Sequence, residues 1–197
     1  MYNVPAVIGV IVLLMCLLLT ALTVVREREL GTLDQLMVSP LTPSELMLGK
    51  TIPVAAVAVI DLMLITAVTI LWFDIPFRGA PYVLLPAALA FILAGLSIGL
   101  LISTISKTQQ EAFMVMFLFL LPAIILSGFF YPVSSMPVVF QWVTVLNPVR
   151  HFLEVVRGVF LKDAGFAALW PQFVSLSVLA IATLSLAVIR FPKTLGR

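Results

Sequence analysis

Histidine and cysteine each occur once in this chain, and charge is scarce. The single Cys16 excludes a disulfide within the chain, and its place inside an apolar run makes it a small buried residue. His151 and Cys16 make no recognisable metal-ligand set, because zinc-type sites draw on three or four such side chains. Charged residues are 10% of the sequence, against about 25% in soluble domains. The net charge of +2 gives no indication of nucleic acid, and no such partner is expected. Met1-Tyr2-Asn3 lacks the basic start of a signal peptide, so no cleavable leader is expected.

What is abundant is apolar: hydrophobic residues make up 62% of the chain. A spanning helix needs roughly 20 such residues. Five segments qualify, over about 7–25, 51–73, 82–103, 112–130 and 172–189, the fourth bent or broken near Pro122. Arg26 and Arg28 stop the first segment, which places its C-terminal end in the cytoplasm by the positive-inside rule. Lys50, Lys107, Arg190, Lys193 and Arg197 then fall on the same side, whereas Arg78, Arg150, Arg157 and Lys162 fall outside. No internal repeat is visible, so the expectation is one all-α polytopic membrane domain over residues 1–197 in contact with the lipid bilayer.

The long polar interruption runs from Val25 to Lys50. Thr32 with Gln35, and Thr42 with Glu45, have capping-box spacing, and Pro43 suits a first helical position. Leu33, Leu36 and Met37 would share one side of a short amphipathic cytoplasmic helix, with Asp34 on another. Such a helix suits a grip on a soluble partner. Glu27, Arg28 and Glu29 beside it are either part of that grip or solvated interface charges.

Between Gly128 and Pro171 the chain is neither a loop nor a simple span. Phe129, Phe130, Val138, Val139, Phe140 and Trp142 are apolar, but Pro132, Pro137 and Ser134-Ser135 break regularity. Irregular backbone at membrane depth needs cover from protein or a cavity. The expected form is a re-entrant hairpin dipping from the outer face. A helix then starts at Pro148 and runs to about Leu161. Val149, Phe152, Val156, Val159 and Phe160 share one side of it and Arg150, Glu154 and Arg157 the other, which predicts an amphipathic helix at the outer interface.

Three short patterns suggest chemistry. Gly49-Lys50-Thr51 looks like the end of a P-loop, but Ser44 stands where its first glycine belongs and no strand precedes it. No ATP site is therefore expected on this chain. Gly95-Leu96-Ser97-Ile98-Gly99 has the letters of a serine-hydrolase elbow and opens the alternative of an intramembrane serine protease. That chemistry needs a base, and His151 is expected on the outer interface, away from Ser97. The better reading is a helix-packing face of Gly95 and Gly99, extended by Ser103. Asp61 lies mid-span, where a charge costs about 2.5–3.5 kcal/mol on insertion scales. It has either a substrate or coupling role, or a hydrogen bond to Ser or Thr on a neighbouring span.

Arg26-Glu27-Arg28-Glu29-Leu30-Gly31-Thr32-Leu33-Asp34-Gln35-Leu36-Met37-Val38-Ser39-Pro40-Leu41, followed by Glu45-Leu46 and Gly49-Lys50, resembles the signature of the ABC-2 type transporter permeases. Leu126 to Pro132 with Ser135-Met136-Pro137 is similar to their late re-entrant segment, marked here by Gly128, Pro132 and Pro137. Leu146 to Phe152 with Arg157-Gly158 resembles the stretch before their last span. The resemblance implies the permease subunit of an ATP-binding-cassette exporter, without enzymatic activity, in a bacterial inner membrane. Its implied partners are a second permease copy and a cytoplasmic ATPase subunit that binds ATP and magnesium. Glu27, Arg28, Glu29, Gly31, Thr32, Leu33, Leu36, Met37 and Pro40 would meet that ATPase. In the drug-export branch the cargo would be an amphipathic small molecule. Family members normally carry a further span and outer domain before the segment matched here, so the chain reads as their C-terminal part; a non-transporting remnant is the alternative.

Overall fold

Small residues let two helices meet at the centre of the bundle. The computed structural model describes residues 4–31, 43–72, 81–162 and 165–195. Helix α1 is Val4–Glu29, α2 is Pro43–Leu71, α3 is Pro81–Ile105 and α4 is Gln109–Ile125. A 3-10 turn, Val133–Ser135, leads into α5 (Val138–Thr144), then α6 (Pro148–Lys162) and α7 (Phe166–Leu195). No strand occurs among the described residues. In the most hydrophobic stretch of each helix, 67% of α3 and 50% of α1 is buried, against 22% of α2 and of α7. Helices α1 and α3 are therefore the centre, and α2 and α7 lie outside them.

The centre closes at two glycines of α3. A Cβ on Gly99 would stand 2.8 Å from Thr20 Cβ and 3.3 Å from the carbonyl oxygens of Cys16 and Leu17. One on Gly95 would stand 3.0 Å from Cys16 Cβ. The backbones of α1 and α3 approach this closely only because side chains are missing there, as in small-residue contacts between membrane helices. Ser97 is fully buried between the two glycines and gives its hydroxyl to Leu93 O at 2.7 Å.

Among the described residues, four helices are long and apolar enough to cross a membrane: Ala6–Glu29, Glu45–Leu71, Val83–Ile105 and Phe166–Phe191. The fifth expected span is shorter than the sequence reading gives it. Helix α4 has 17 residues and ends at Ile125, not near 130. At 1.5 Å per residue it covers about 25 Å, short of the roughly 30 Å hydrocarbon core. Pro122 sits in its last turn, and Gly128 turns the chain with φ +83°. The last span also starts earlier than expected, at Phe166 rather than Gln172.

The outer segment differs in a second respect. Helix α6 was expected to lay its apolar side on the membrane interface, but protein covers that side. Val149, Phe152, Leu153, Val155, Val156, Val159 and Phe160 are all essentially inaccessible. They fill the space beside α1, α3 and α7. Phe152 stacks on Phe91 of α3 with centroids 4.2 Å apart and rings 4° from parallel, and a Cβ on Gly9 of α1 would meet Phe152 at 3.0 Å. Within this outer segment α5 exposes apolar surface, with Val138, Val139, Phe140, Trp142 and Val143 open. Asn147 fixes the turn between them. Its Oδ1 accepts from Val149 N–H as an N-cap, and its Nδ2 donates to Ala123 O near the end of α4 at 2.6 Å.

The glycine contact gives an ordered series. Gly99→Ala should lower the unfolding free energy by about 1–3 kcal/mol, because the new methyl meets a β-branched side chain and backbone that cannot turn away. Gly99→Leu should leave no correctly packed chain. Gly49→Ala, with nothing within 4 Å of its Cβ position, should be neutral or stabilising by up to about 1 kcal/mol. Thermal unfolding in detergent micelles checks the order.

Candidate functional site

Charged residues are scarce, so a place where several converge is informative. Three consecutive side chains at the end of α1 reach three different helices. Glu27 forms an ion pair with Lys50 of α2. The Arg28 guanidinium donates from Nη1 to Ser103 O at 3.0 Å and to Ser106 O at 2.7 Å, at the end of α3. Glu29 Oε2 accepts from Gln109 Nε2 at the start of α4. A helix rotates 100° per residue, so three successive positions point in three directions. The chain uses that spread to tie one helix end to three others.

Each tie has a physical cause. The last carbonyls of a helix lack intrahelical partners and carry the negative end of its dipole. Arg28 supplies both the donors and the charge at the end of α3. Ser103 and Ser106 turn their own hydroxyls back to Leu100 O and Ile102 O, so these two buried side chains are satisfied locally. Thr108 caps α4 by accepting from Glu111 N–H, and Glu111 accepts in turn from Lys107 N–H. The capping fixes where Gln109 stands. Gly31, with φ +69°, ends α1 in the left-handed region.

The remaining expected residues fall as follows. Thr32, Leu33, Leu36, Met37 and Pro40 lie outside the described residues. Ser103 lies below the two packing glycines in α3 and joins the polar cluster through its carbonyl. Asp61 is half-buried in the middle of α2. Its Oδ2 is buried with no hydrogen-bond partner, and no bond to Ser or Thr is formed among the described residues. Pro132 and Pro137 precede the 3-10 turn and α5 as their N-caps. His151 Nε2 lies 2.9 Å from Val145 O, so the only histidine is bonded to its own turn and Ser97 to its own helix. Lys50, Gln109 and Ser106 are members of the cluster that sequence reasoning missed. Lys50 stood in the family signature but with no partner assigned to it, and Gln109 and Ser106 looked like ordinary polar residues at a span boundary.

Arg26 and Arg28 separate the roles of charge and capping. Arg26 is exposed, whereas Arg28 is half-buried on two carbonyls. Arg28→Met should cost about 1–3 kcal/mol of unfolding free energy, and Arg26→Met less than about 0.5 kcal/mol. Parallel thermal unfolding of the two variants checks this.

Residues 1–161 match the family described as ABC-2 type transporter. The chain is similar to the "Probable multidrug ABC transporter permease YbhR" of Escherichia coli (strain K12), with 40% identity over 192 residues, covering 98% of this chain and 52% of that protein. It is 34% identical over 199 residues to the "Inner membrane transport permease YhhJ" of the same strain, covering 98% and 52%. With "Probable multidrug ABC transporter permease YbhS" it shares 35% over 161 residues, covering 81% and 43%. The chain spans about half the length of the curated relatives it matches. The match over most of its length, on the segments that form the cluster and the bundle, shows that this multi-pass membrane chain belongs to the ABC-2 type transporter family.

Proposed function

We propose that this chain is the membrane-spanning part of an ATP-binding-cassette exporter permease. It sits in a bacterial inner membrane, with the Arg28 end in the cytoplasm. A separate ATPase subunit holds ATP and magnesium, and a second permease copy completes the complex. The cargo is an amphipathic small molecule, in keeping with the name of the relative, "Probable multidrug ABC transporter permease YbhR".

The observation that carries this reading is the cluster at Glu27, Arg28 and Glu29. A push from a soluble motor is useful only if it moves several helices at once. The cluster joins the ends of α1, α2, α3 and α4 just before the segment from Thr32 to Thr42. Force applied to that segment reaches α1 through Gly31 and passes by three polar ties to its neighbours. The acidic side chains of the signature then act as internal braces. Contact with the ATPase falls to Leu33, Leu36 and Met37. Burying two or three such side chains is worth about 1.5–3 kcal/mol each.

Leu36→Asp, made in the complete permease, should leave insertion and dimerisation intact. Substrate stimulation of ATP hydrolysis and export should be lost together in the reconstituted complex. Unchanged stimulation and unchanged export would mean that coupling runs elsewhere.

A further inference from the structure

At the end of the bundle opposite Arg28, a cleft of about 650 Å³ opens between α5, α6, α7 and the 3-10 turn. Arg150, Glu154 and Arg157 of α6, Gln141 of α5, Gln172 of α7 and Ser134 line it. Among the described lining residues, two side chains are cationic and one is anionic. The lining is held in place by its own bonds. Arg150 Nη1 donates to Thr144 Oγ1 at 2.5 Å and Gln141 O at 3.3 Å, and its Nε lies 3.4 Å from Glu154 Oε1. Glu154 Oε2 accepts from Gln172 Nε2 at 2.5 Å. Arg157 Nη1 donates to Gly128 O at 3.1 Å. The second terminal nitrogen of Arg150 makes no hydrogen bond among the described residues. A guanidinium carries five donors in a planar fork that matches phosphate oxygens.

The depth of the cleft comes from aromatic residues. Trp72, Trp142 and Trp170, the three tryptophans of the chain, all lie at this end and are 82%, 74% and 58% exposed. Tyr131 beside them is 67% exposed. Exposed tryptophan and tyrosine at helix ends mark the headgroup level of a bilayer. Val138, Val139 and Phe140 of α5, all exposed, continue from the cleft as apolar surface. A cationic cleft at headgroup depth beside an apolar flank fits a phosphate that carries acyl chains better than a soluble one.

We propose that this cleft binds the phosphate group of a phospholipid headgroup, with Arg150 and Arg157 as its cationic wall. Binding would brace α5, α6 and α7 against one another at a point that the Arg28 cluster does not reach. This does not rest on the exporter reading, because it concerns only the lining of the cleft and its depth.

Native mass spectrometry of the purified chain in detergent micelles, titrated with phosphatidylglycerol or with diacylglycerol, tests it. Phosphatidylglycerol should bind and diacylglycerol, which lacks the phosphate, should bind at least about tenfold more weakly. Arg150→Gln and Arg157→Gln should each weaken phosphatidylglycerol by about tenfold, and Arg150→Lys by less. Ser134→Trp should block binding by bulk; Ser134 is exposed, so this variant carries the test if an arginine variant fails to fold. Equal affinity for the two lipids, or full binding in Ser134→Trp, would overturn the proposal. Inorganic phosphate that competes as well as the lipid would assign the cleft to a soluble phosphate and overturn the lipid source.

Discussion

Arg28 satisfies the end of a helix that it does not belong to. The end of α3 has carbonyls without helical partners at the buried Ser103 and Ser106, and the guanidinium of α1 reaches both. Without that donor the end of α3 would have to fray or find water. The contact depends on the glycine crossing above it. Gly95 and Gly99 bring α1 and α3 close enough along their length for Arg28 to reach Ser103 and Ser106. Helix α2 then docks through Glu27 and Lys50, and α4 starts from Gln109 beside Glu29. One apolar contact and one polar contact thus fix the pair on which the other helices are assembled.

At the opposite end the same problem is solved differently. Irregular backbone between α4 and α6 must be covered or satisfied. Asn147 closes the end of α4 and the start of α6 with one side chain, and Arg157 takes Gly128 O. Helix α6 packs its aromatic and branched residues against α1, α3 and α7, so its polar side faces a cleft. The two ends differ in kind: one joins helix ends into a block, and the other leaves room between elements.

The helices were legible because their signals are local. Long apolar runs with charges at their ends marked α1, α2, α3 and α7, the four described helices long and apolar enough to cross a membrane. Pro43 marked a helix start, whereas the helix end at Gly31 is read from its positive φ alone. The length of α4 was misjudged because Leu126, Phe129 and Phe130 are as apolar as any span, and hydropathy does not register the turn at Gly128. The position of α6 was misjudged because an amphipathic pattern says which side is apolar and not whether lipid or protein meets it. Phe91 and Gly9, the residues that decide it, lie more than 50 positions away. The cluster was half legible. Its acidic and basic residues stood out, but their partners Lys50, Ser106 and Gln109 are named only by the fold.

The claim that the ends of α1 and α4 move as one body can be tested by locking them together. Glu29→Cys with Gln109→Cys puts two thiols on the positions that a side-chain hydrogen bond now joins, and a short bifunctional methanethiosulfonate reagent, longer than a direct disulfide, bridges them reversibly; Cys16 is buried inside the bundle. In the complete permease, reconstituted with the proposed ATPase, export should continue after the pair is bridged. Export that stops on bridging and returns on reduction would show that this contact must open during transport, and would contradict the account.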